Sequence, residues 1–254
     1  MNSSFKQTAL IAAQHASKVL LHYYGKKETI KVKSNKSLVA SADIEANAVI
    51  IKLIKEHFPN HSILSEETGF ENNNSDFKWV IDPLDGTHNF LHGIPIFGTS
   101  IALEYKNEVI LGVLNFPLLC INTIAEKGKG AFLNGKKINV SNKKNLIHSF
   151  ILLEFSYANR KEKVDFLEKL IHETIDIRNF GCAIYNLLLL ACGKAEGYVI
   201  LSTNEWDVAA GFLLVEEAKG KITNLKGEKY NLAEGKYIVS NSIVHKELLS
   251  YVKN

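Results

Sequence analysis

Lys78-Trp79-Val80-Ile81-Asp82-Pro83-Leu84-Asp85-Gly86-Thr87-His88-Asn89-Phe90 joins a short apolar run to two carboxylates three residues apart. Trp79-Val80-Ile81 reads as a buried strand. Pro83 fixes its own φ and has no N–H to give a neighbouring strand, so the backbone is expected to leave the sheet there. Gly86 lets the main chain approach another group closely, and Thr87 brings a hydroxyl to the same place. Two carboxylates ~4 Å apart repel by about 4 kcal/mol at an effective dielectric of 20, so a protein that clusters them at a strand end usually supplies a cation. Taken alone, Asp-Pro-x-Asp-Gly is also what an ordinary turn is made of. Its company in the rest of the chain has to decide between the two.

The formal charge of +3 on 254 residues is too small to indicate nucleic acid or an anionic membrane as a partner. Cys120, Cys182 and Cys192 are an odd number without metal-ligand spacing, which points to reduced thiols in a cytoplasmic protein. The N-terminus lacks a basic segment followed by an apolar one, and no apolar run approaches the roughly 18 residues of a membrane span. A chain of this length forms one large domain or two packed halves.

Phe5, Ala9, Ala12, Ala16, Val19, Leu20 and Tyr23 recur at helical spacing, with Ser3 or Ser4 as cap and Gly25 as stop. Lys26 to Ser37 is basic and polar, a loop or hairpin from which Lys31, Lys33 or Lys36 can reach a site. Asp43 then opens a helix whose expected buried face is Ile44, Ala48, Ile51, Ile54 and Phe58, ending at Pro59. Ile63-Leu64-Ser65 reads as a strand entering Glu66-Glu67, of which only one carboxylate can face a given side. Thr68 to Asp76 reads as a polar loop. Past the opening stretch, Phe97–Tyr105 and Val109–Asn115 pair around Lys106-Asn107, Ile121–Ala125 adds a strand, and Asn134-Gly135 is a tight hairpin turn. Gly128-Lys129-Gly130 lacks the strand-to-helix setting of a phosphate loop and reads as a turn.

Ser141-Asn142-Lys143-Lys144-Asn145 is the clearest boundary, dividing an N-terminal α+β half (1–141) from a C-terminal α/β half (142–254). In the second half Phe150–Phe155, Ile175–Phe180 and Gly197–Leu201 read as strands. They alternate with helices at Val164–Ile171, after Gly181-Cys182-Ala183, and from Asp207 to Glu217, the last ended by Gly220. Trp206-Asp207-Val208-Ala209-Ala210-Gly211 opens that last helix, and on its own Asp207 is a helix cap.

The pattern W-x-I-D-P-L-D-G-T-x-N-F at 79–90 and W-D-x-A-A-G at 206–211, in this order, resemble the two signatures of the inositol monophosphatase family, over roughly Leu10 to Leu249. The resemblance implies an α/β fold of alternating helix and sheet layers, with a metal site between the halves. It implies Mg²⁺ as cofactor, held by Glu66, Asp82, the Leu84 carbonyl, Asp85 and Asp207, all hard oxygen donors that suit Mg²⁺. Glu66, Thr87 and Asp43 would be the catalytic residues that handle the attacking water. Gly86 and Thr87 would bind phosphate, and Gly181, Cys182, Ala183 and Asp207 would contact substrate. Inhibition by lithium and a homodimer are implied as well. No Cys-x5-Arg is present, so direct hydrolysis of a phosphate monoester, first of all inositol 1-phosphate, is expected rather than a phospho-enzyme.

Rivals on the same metal core are 3′(2′),5′-bisphosphate nucleotidases and fructose-1,6-bisphosphatases. Asn89 stands where the nucleotidases usually carry an acid, which favours the inositol branch. A binding role is the rival from another class, since some bacterial relatives associate with the transcription machinery. Two departures bear on substrate. Ile200 stands where the animal enzymes keep an acid that grips inositol hydroxyls, and Cys182 replaces a threonine. Ser202-Thr203-Asn204-Glu205 is the nearest polar cluster that could compensate.

Overall fold

The computed structural model describes residues 3–26, 31–32, 38–39, 41–154 and 159–253. The chain begins α1 (Ser3–Tyr23), β1 (Lys31–Val32), β2 (Leu38–Val39), α2 (Ser41–His57), β3 (Ser62–Ser65), β4 (Gly69–Glu71), β5 (Phe77–Asp85) and α3 (Thr87–Leu91). A meander follows, with β6 (Gly98–Tyr105), β7 (Glu108–Phe116), β8 (Ile121–Glu126), β9 (Gly130–Leu133) and β10 (Lys136–Ile138). The remainder is β11 (Phe150–Leu153), α4 (Arg160–Leu170), β12 (Asp176–Arg178), α5 (Ala183–Ala191), β13 (Gly197–Ile200), α6 (Glu205–Glu217), β14 (Lys221–Thr223), β15 (Tyr237–Ser240) and α7 (His245–Lys253). Strands β3 to β10 form one sheet in the order β10-β9-β8-β7-β6-β5-β3-β4, and β11 to β15 a second in the order β12-β11-β13-β15-β14.

Side-chain alternation along the strands sorts these elements into five layers. In β5, Trp79 and Ile81 face Ala9, Ala12, Ala16 and Leu20 of α1 and Ala42, Ala46, Ile50 and Ile54 of α2. Val80, between them, faces the other way, into a core built from Leu187 and Leu190 of α5 and Val208 to Val215 of α6. Tyr198 and Ile200 of β13 close that inner core from the second sheet, while Val199 and Leu201 face Phe166 and Leu170 of α4 and Leu248 of α7. Helices α5 and α6, although late in the chain, are thus shared by both sheets. The expected alternation of helix and sheet layers is what the chain forms.

Several local expectations change. Helix α2 buries Ala42, Asp43, Ala46, Asn47, Ile50 and Ile54, and leaves Ile44 and Ala48 exposed. The face is rotated because two polar residues, Asp43 and Asn47, are drawn inward; Asn47 Oδ1 accepts a hydrogen bond from Ser65 Oγ at 2.7 Å. Thr68–Asp76 is not all loop, since β4 lies within it and pairs with β3. The strand does not stop at Pro83: β5 continues to Asp85, with Asp82 opposite Ser100 and Asp85 opposite Gly98. Three steps on one strand against two on the other is a bulge, which absorbs the missing proline N–H. Helix α6 starts at Glu205, so Asp207 is its third residue rather than its first. Beyond Gly220, β14, β15 and α7 were not anticipated. β1 pairs with β2, the hairpin option for that stretch; Lys33, Lys36 and the side chain of Lys31 lie outside the described residues, as does Phe155.

Helix α6 reaches the first sheet because Gly112 of β7 lies beneath it. A Cβ at Gly112 would stand 2.7 Å from Ala210 O and 3.0 Å from Ala210 Cα, backbone that cannot swing aside. Gly112→Ala should therefore destabilise the protein by about 1–3 kcal/mol, the usual scale of overpacking. Urea unfolding measures it, and a variant as stable as the parent would show that α6 is not seated this closely.

Candidate active site

The bulge in β5 sets the site's geometry. In an unbroken strand, residues three apart face opposite ways; one inserted residue restores Asp85 to the side of Asp82. Both then face the inner layer, as Val80 does, while Leu84 turns toward α1 and α2. Asp82 is buried, and its Oδ1 accepts a hydrogen bond from Leu84 N at 3.0 Å, closing the turn on itself. Thr99 Oγ1 donates to Pro83 O at 3.0 Å and fixes the bulge from β6. Strand β3 runs parallel to β5 with Ser65 level with Ile81, and Glu66 N donates to Ile81 O at 3.1 Å. That pairing delivers Glu66 beside Asp82.

The inner helices supply Asp207 and the donors that hold Asp85. Asp85 Oδ2 accepts hydrogen bonds from Ile184 N at 2.6 Å and from the Cys182 thiol, whose Sγ is 3.3 Å away. Cys182 is buried, and Ala183 opens α5 beside it. Asp207 Oδ2 accepts from Asn204 N and Thr203 Oγ1, both at 2.8 Å, so the capping role and a place in the cluster are compatible. Gly86 has φ +86°, and a Cβ there would stand 2.8 Å from Ile96 O, so the turn into α3 requires glycine. Thr87 Oγ1 donates to Leu84 O at 3.1 Å. Gly181, at φ +65°, lies against Asn89, whose Nδ2 donates to Phe180 O at 2.7 Å and Ile96 O at 2.8 Å. Asn89 is a clasp between α3 and the loop before α5.

The charges that act on Asp82 are Glu66, Asp85, Asp207 and Asp43, all of one sign. Burial and those neighbours push the Asp82 carboxyl well above the usual range, and burial with Asp207 and Glu154 does the same to Asp85 against the hydrogen bonds from Ile184 N and Cys182. Asp207 is pushed up to about 7, mostly by burial, with Glu66 and Glu154 adding to it against the hydrogen bond from Asn204 N. Among the described residues no three acidic, histidine or cysteine side chains form a ready-made ligand cage. A cation that retains several of its waters does not need such a cage.

Sequence reading missed the parts played by Lys78, Thr203, Asn204 and Glu154. Lys78 lies 3.0 Å from both Glu104 and Glu205, which commits Glu205 to an ion pair at the edge of the site. Thr203 and Asn204 are used by Asp207, so the polar cluster 202–205 does not supply a spare acid. Glu154, at the end of β11, was visible as the one acid in an apolar run; its place beside the cluster was not.

A carboxyl whose folded pKa is raised binds protons more tightly folded than unfolded. Its contribution to stability is present near pH 4 and is lost as pH rises through the folded value. In excess chelator, Asp82→Asn should therefore become progressively more stable than the parent as pH rises from about 4 to 8, because the amide keeps the Leu84 contact without the charge. Melting temperatures of both proteins across that range check this; a constant difference would show that Asp82 is not charge-strained.

The full sequence, residues 1–254, matches the inositol monophosphatase family. The fructose-1,6-bisphosphatase/inositol-1-monophosphatase of Thermotoga maritima is 36% identical over 235 residues, 92% of this chain and 90% of that protein. The Nus factor SuhB of Pseudomonas aeruginosa is 34% identical over 257 aligned residues, 96% of this chain and 94% of that one. The crystal structure of the extragenic suppressor protein suhB of Bartonella henselae superposes with a TM-score of 0.95 at 30% identity, covering 99% of both chains. No helix among the described residues is long and apolar enough to cross a membrane. With both signatures placed around one acidic cluster and the match running end to end, the chain belongs to the inositol monophosphatase family and is a phosphoric monoester hydrolase.

Proposed function

We propose that this protein hydrolyses phosphate monoesters with Mg²⁺ in the cytoplasm, inositol 1-phosphate first among them, as a homodimer. The observation that carries this reading is the set of buried like charges, Asp82, Asp85 and Asp207 with Glu66 and Asp43, at the seam between the halves 1–141 and 142–254. Carboxylate and carbonyl oxygens, hard donors with no nitrogen or sulfur ligand in the set, fit Mg²⁺. Glu66, Asp82, the Leu84 carbonyl, Asp85 and Asp207 would hold it. When bound, Mg²⁺ supplies Lewis acidity to the phosphate and lowers the pKa of water.

The protein's own groups divide the remaining work. Thr87 Oγ1 spends its proton on Leu84 O, so its lone pairs are turned outward as acceptors for the attacking water. Asp43 and Glu66 take up the proton that this water gives up. The Gly86-Thr87 backbone receives the phosphate, while Gly181, Cys182, Ala183 and Asp207 border the alcohol side. Cys182 also holds Asp85 in place through its thiol. Asn89, rather than an acid, keeps the loop closed and supports the inositol branch over the nucleotidases.

Activity should vanish in excess chelator and return with Mg²⁺, and Asp85→Asn should abolish turnover while the melting curve stays cooperative. Full activity in either case would sink the mechanism. Lithium at high concentration should slow hydrolysis at saturating Mg²⁺.

Thr87→Ala and Asp43→Asn should each lower kcat by about 10²-fold with less change in KM, since neither is assigned to the leaving alcohol. A rise in KM alone would reassign the residue to substrate binding. The Nus factor name of the Pseudomonas relative supports a second reading, a role beside transcription proteins that the same chain can hold together with catalysis.

A further inference from the structure

The three parallel strands of the second sheet, β12, β11 and β13, all release the chain at their carboxyl ends toward the same place. β12 leads to Gly181-Cys182 and the start of α5, and β13 leads to the loop before Asp207. Crevices outside the carboxyl ends of parallel strands are where such sheets bind ligands. β11 ends in Glu154. Leu152 faces the inner layer with Tyr198 and Ile200, and two-residue alternation turns Glu154 to the same side. The pairing of Leu153 with Val199 puts Glu154 level with Ile200 on the neighbouring strand.

The surroundings of Glu154 are polar, within an otherwise apolar layer. Tyr198 Oη donates to Glu154 Oε2 at 3.1 Å. Lys163 of α4, almost fully buried, faces the carboxylate and opposes its charge. Asn186 of α5 is fully buried beside the Tyr198 hydroxyl and interacts with it through its side chain. Glu154 itself is partly exposed, and Asp85 and Asp207 both feel its charge. It therefore borders the acidic cluster while keeping an open side.

We propose that Glu154 is a specificity-determining residue: its carboxylate accepts a hydrogen bond from a hydroxyl of a polyhydroxylated alcohol whose phosphate lies at the acidic cluster. This rests on the phosphatase reading above. Lys163 offsets the charge of Glu154, which makes it a weaker competitor for a divalent cation than Asp82 or Asp85, and leaves it a good acceptor for a neutral hydroxyl. Ile200, level with it, offers only hydrocarbon, so the neighbouring strand carries the polar contact instead. Tyr198 acts as a positioning residue, fixing the carboxylate through Oε2. Selection of this kind is strong because an ester that lacks the hydroxyl loses a matched polar contact outright.

The test is kcat/KM of the Mg²⁺-loaded enzyme on myo-inositol 1-phosphate and on phenyl phosphate, whose alcohol carries no further hydroxyl. The inositol-to-phenyl ratio should fall at least tenfold in Glu154→Gln, mainly through KM for the inositol ester. Tyr198→Phe should shift the ratio the same way by about threefold. An unchanged ratio, with both esters unaffected or both falling together, overturns the proposal; parallel losses with a raised Mg²⁺ requirement would put Glu154 among the cation-holding acids instead. If Glu154→Gln does not fold, Glu154→Asp keeps the charge and withdraws it by one methylene, and an unchanged ratio there overturns the proposal equally. A parent enzyme inactive on both esters with Mg²⁺ would overturn the phosphatase reading itself, and this inference with it.

Discussion

Asp82, Asp85 and Asp207 repel one another, and the fold holds them together all the same. Each lies near carboxylates of its own sign, in a place where burial strengthens the repulsion. Such a cluster persists only where hydrogen-bond donors and a rigid frame outweigh the repulsion. Leu84 N, Ile184 N, Asn204 N, the hydroxyl of Thr203 and the thiol of Cys182 are those donors, and three of the five belong to backbone. Backbone donors cannot rotate away from the acids they hold.

The frame is the five-layer stack. Its decisive feature is that α5 and α6, both from the second half, lie between the two sheets and supply partners to acids of the first. The seat of α6 on β7 depends on Gly112, and the seat of α5 against Asp85 depends on the short route through Gly181 and Cys182. Asn89 ties that route to α3. Acids that precede the meander therefore meet partners from α5 and α6, with small residues and one amide clasp controlling their separation.

On the alcohol side, the polar character expected from 202–205 is spent on internal bonds. Glu205 serves Lys78, and Thr203 and Asn204 serve Asp207. Glu154, Tyr198, Lys163 and Asn186 gather instead behind the seam, from β11, β13, α4 and α5. Tyr198 of β13 and Lys163 of α4 act on the Glu154 carboxylate, and Asn186 of α5 stands behind Tyr198.

The layered α/β fold and the candidate acids Glu66, Asp82, Asp85 and Asp207 were reached through the resemblance of two signature strings to one family, since taken alone their local chemistry reads as turn and cap. Trp79-Val80-Ile81 announces a buried strand, and Lys106-Asn107 and Asn134-Gly135 announce their turns through the positive φ that they adopt. The buried face of α2 was not legible: periodicity counts hydrocarbon, and here tertiary contacts drew Asp43 and Asn47 inward and turned Ile44 out. Nor was the bulge, since a proline reads as an end of pairing until a neighbouring strand shows the register resuming at Asp85. The direction of Glu205 and the company of Glu154 are long-range facts, fixed by which strands lie side by side. The sequence by itself determined the strand-end carboxylates and the chemistry they favour; only the tertiary structure decided which of them face one another, because a side chain's direction depends on register and packing partners that no local spacing encodes.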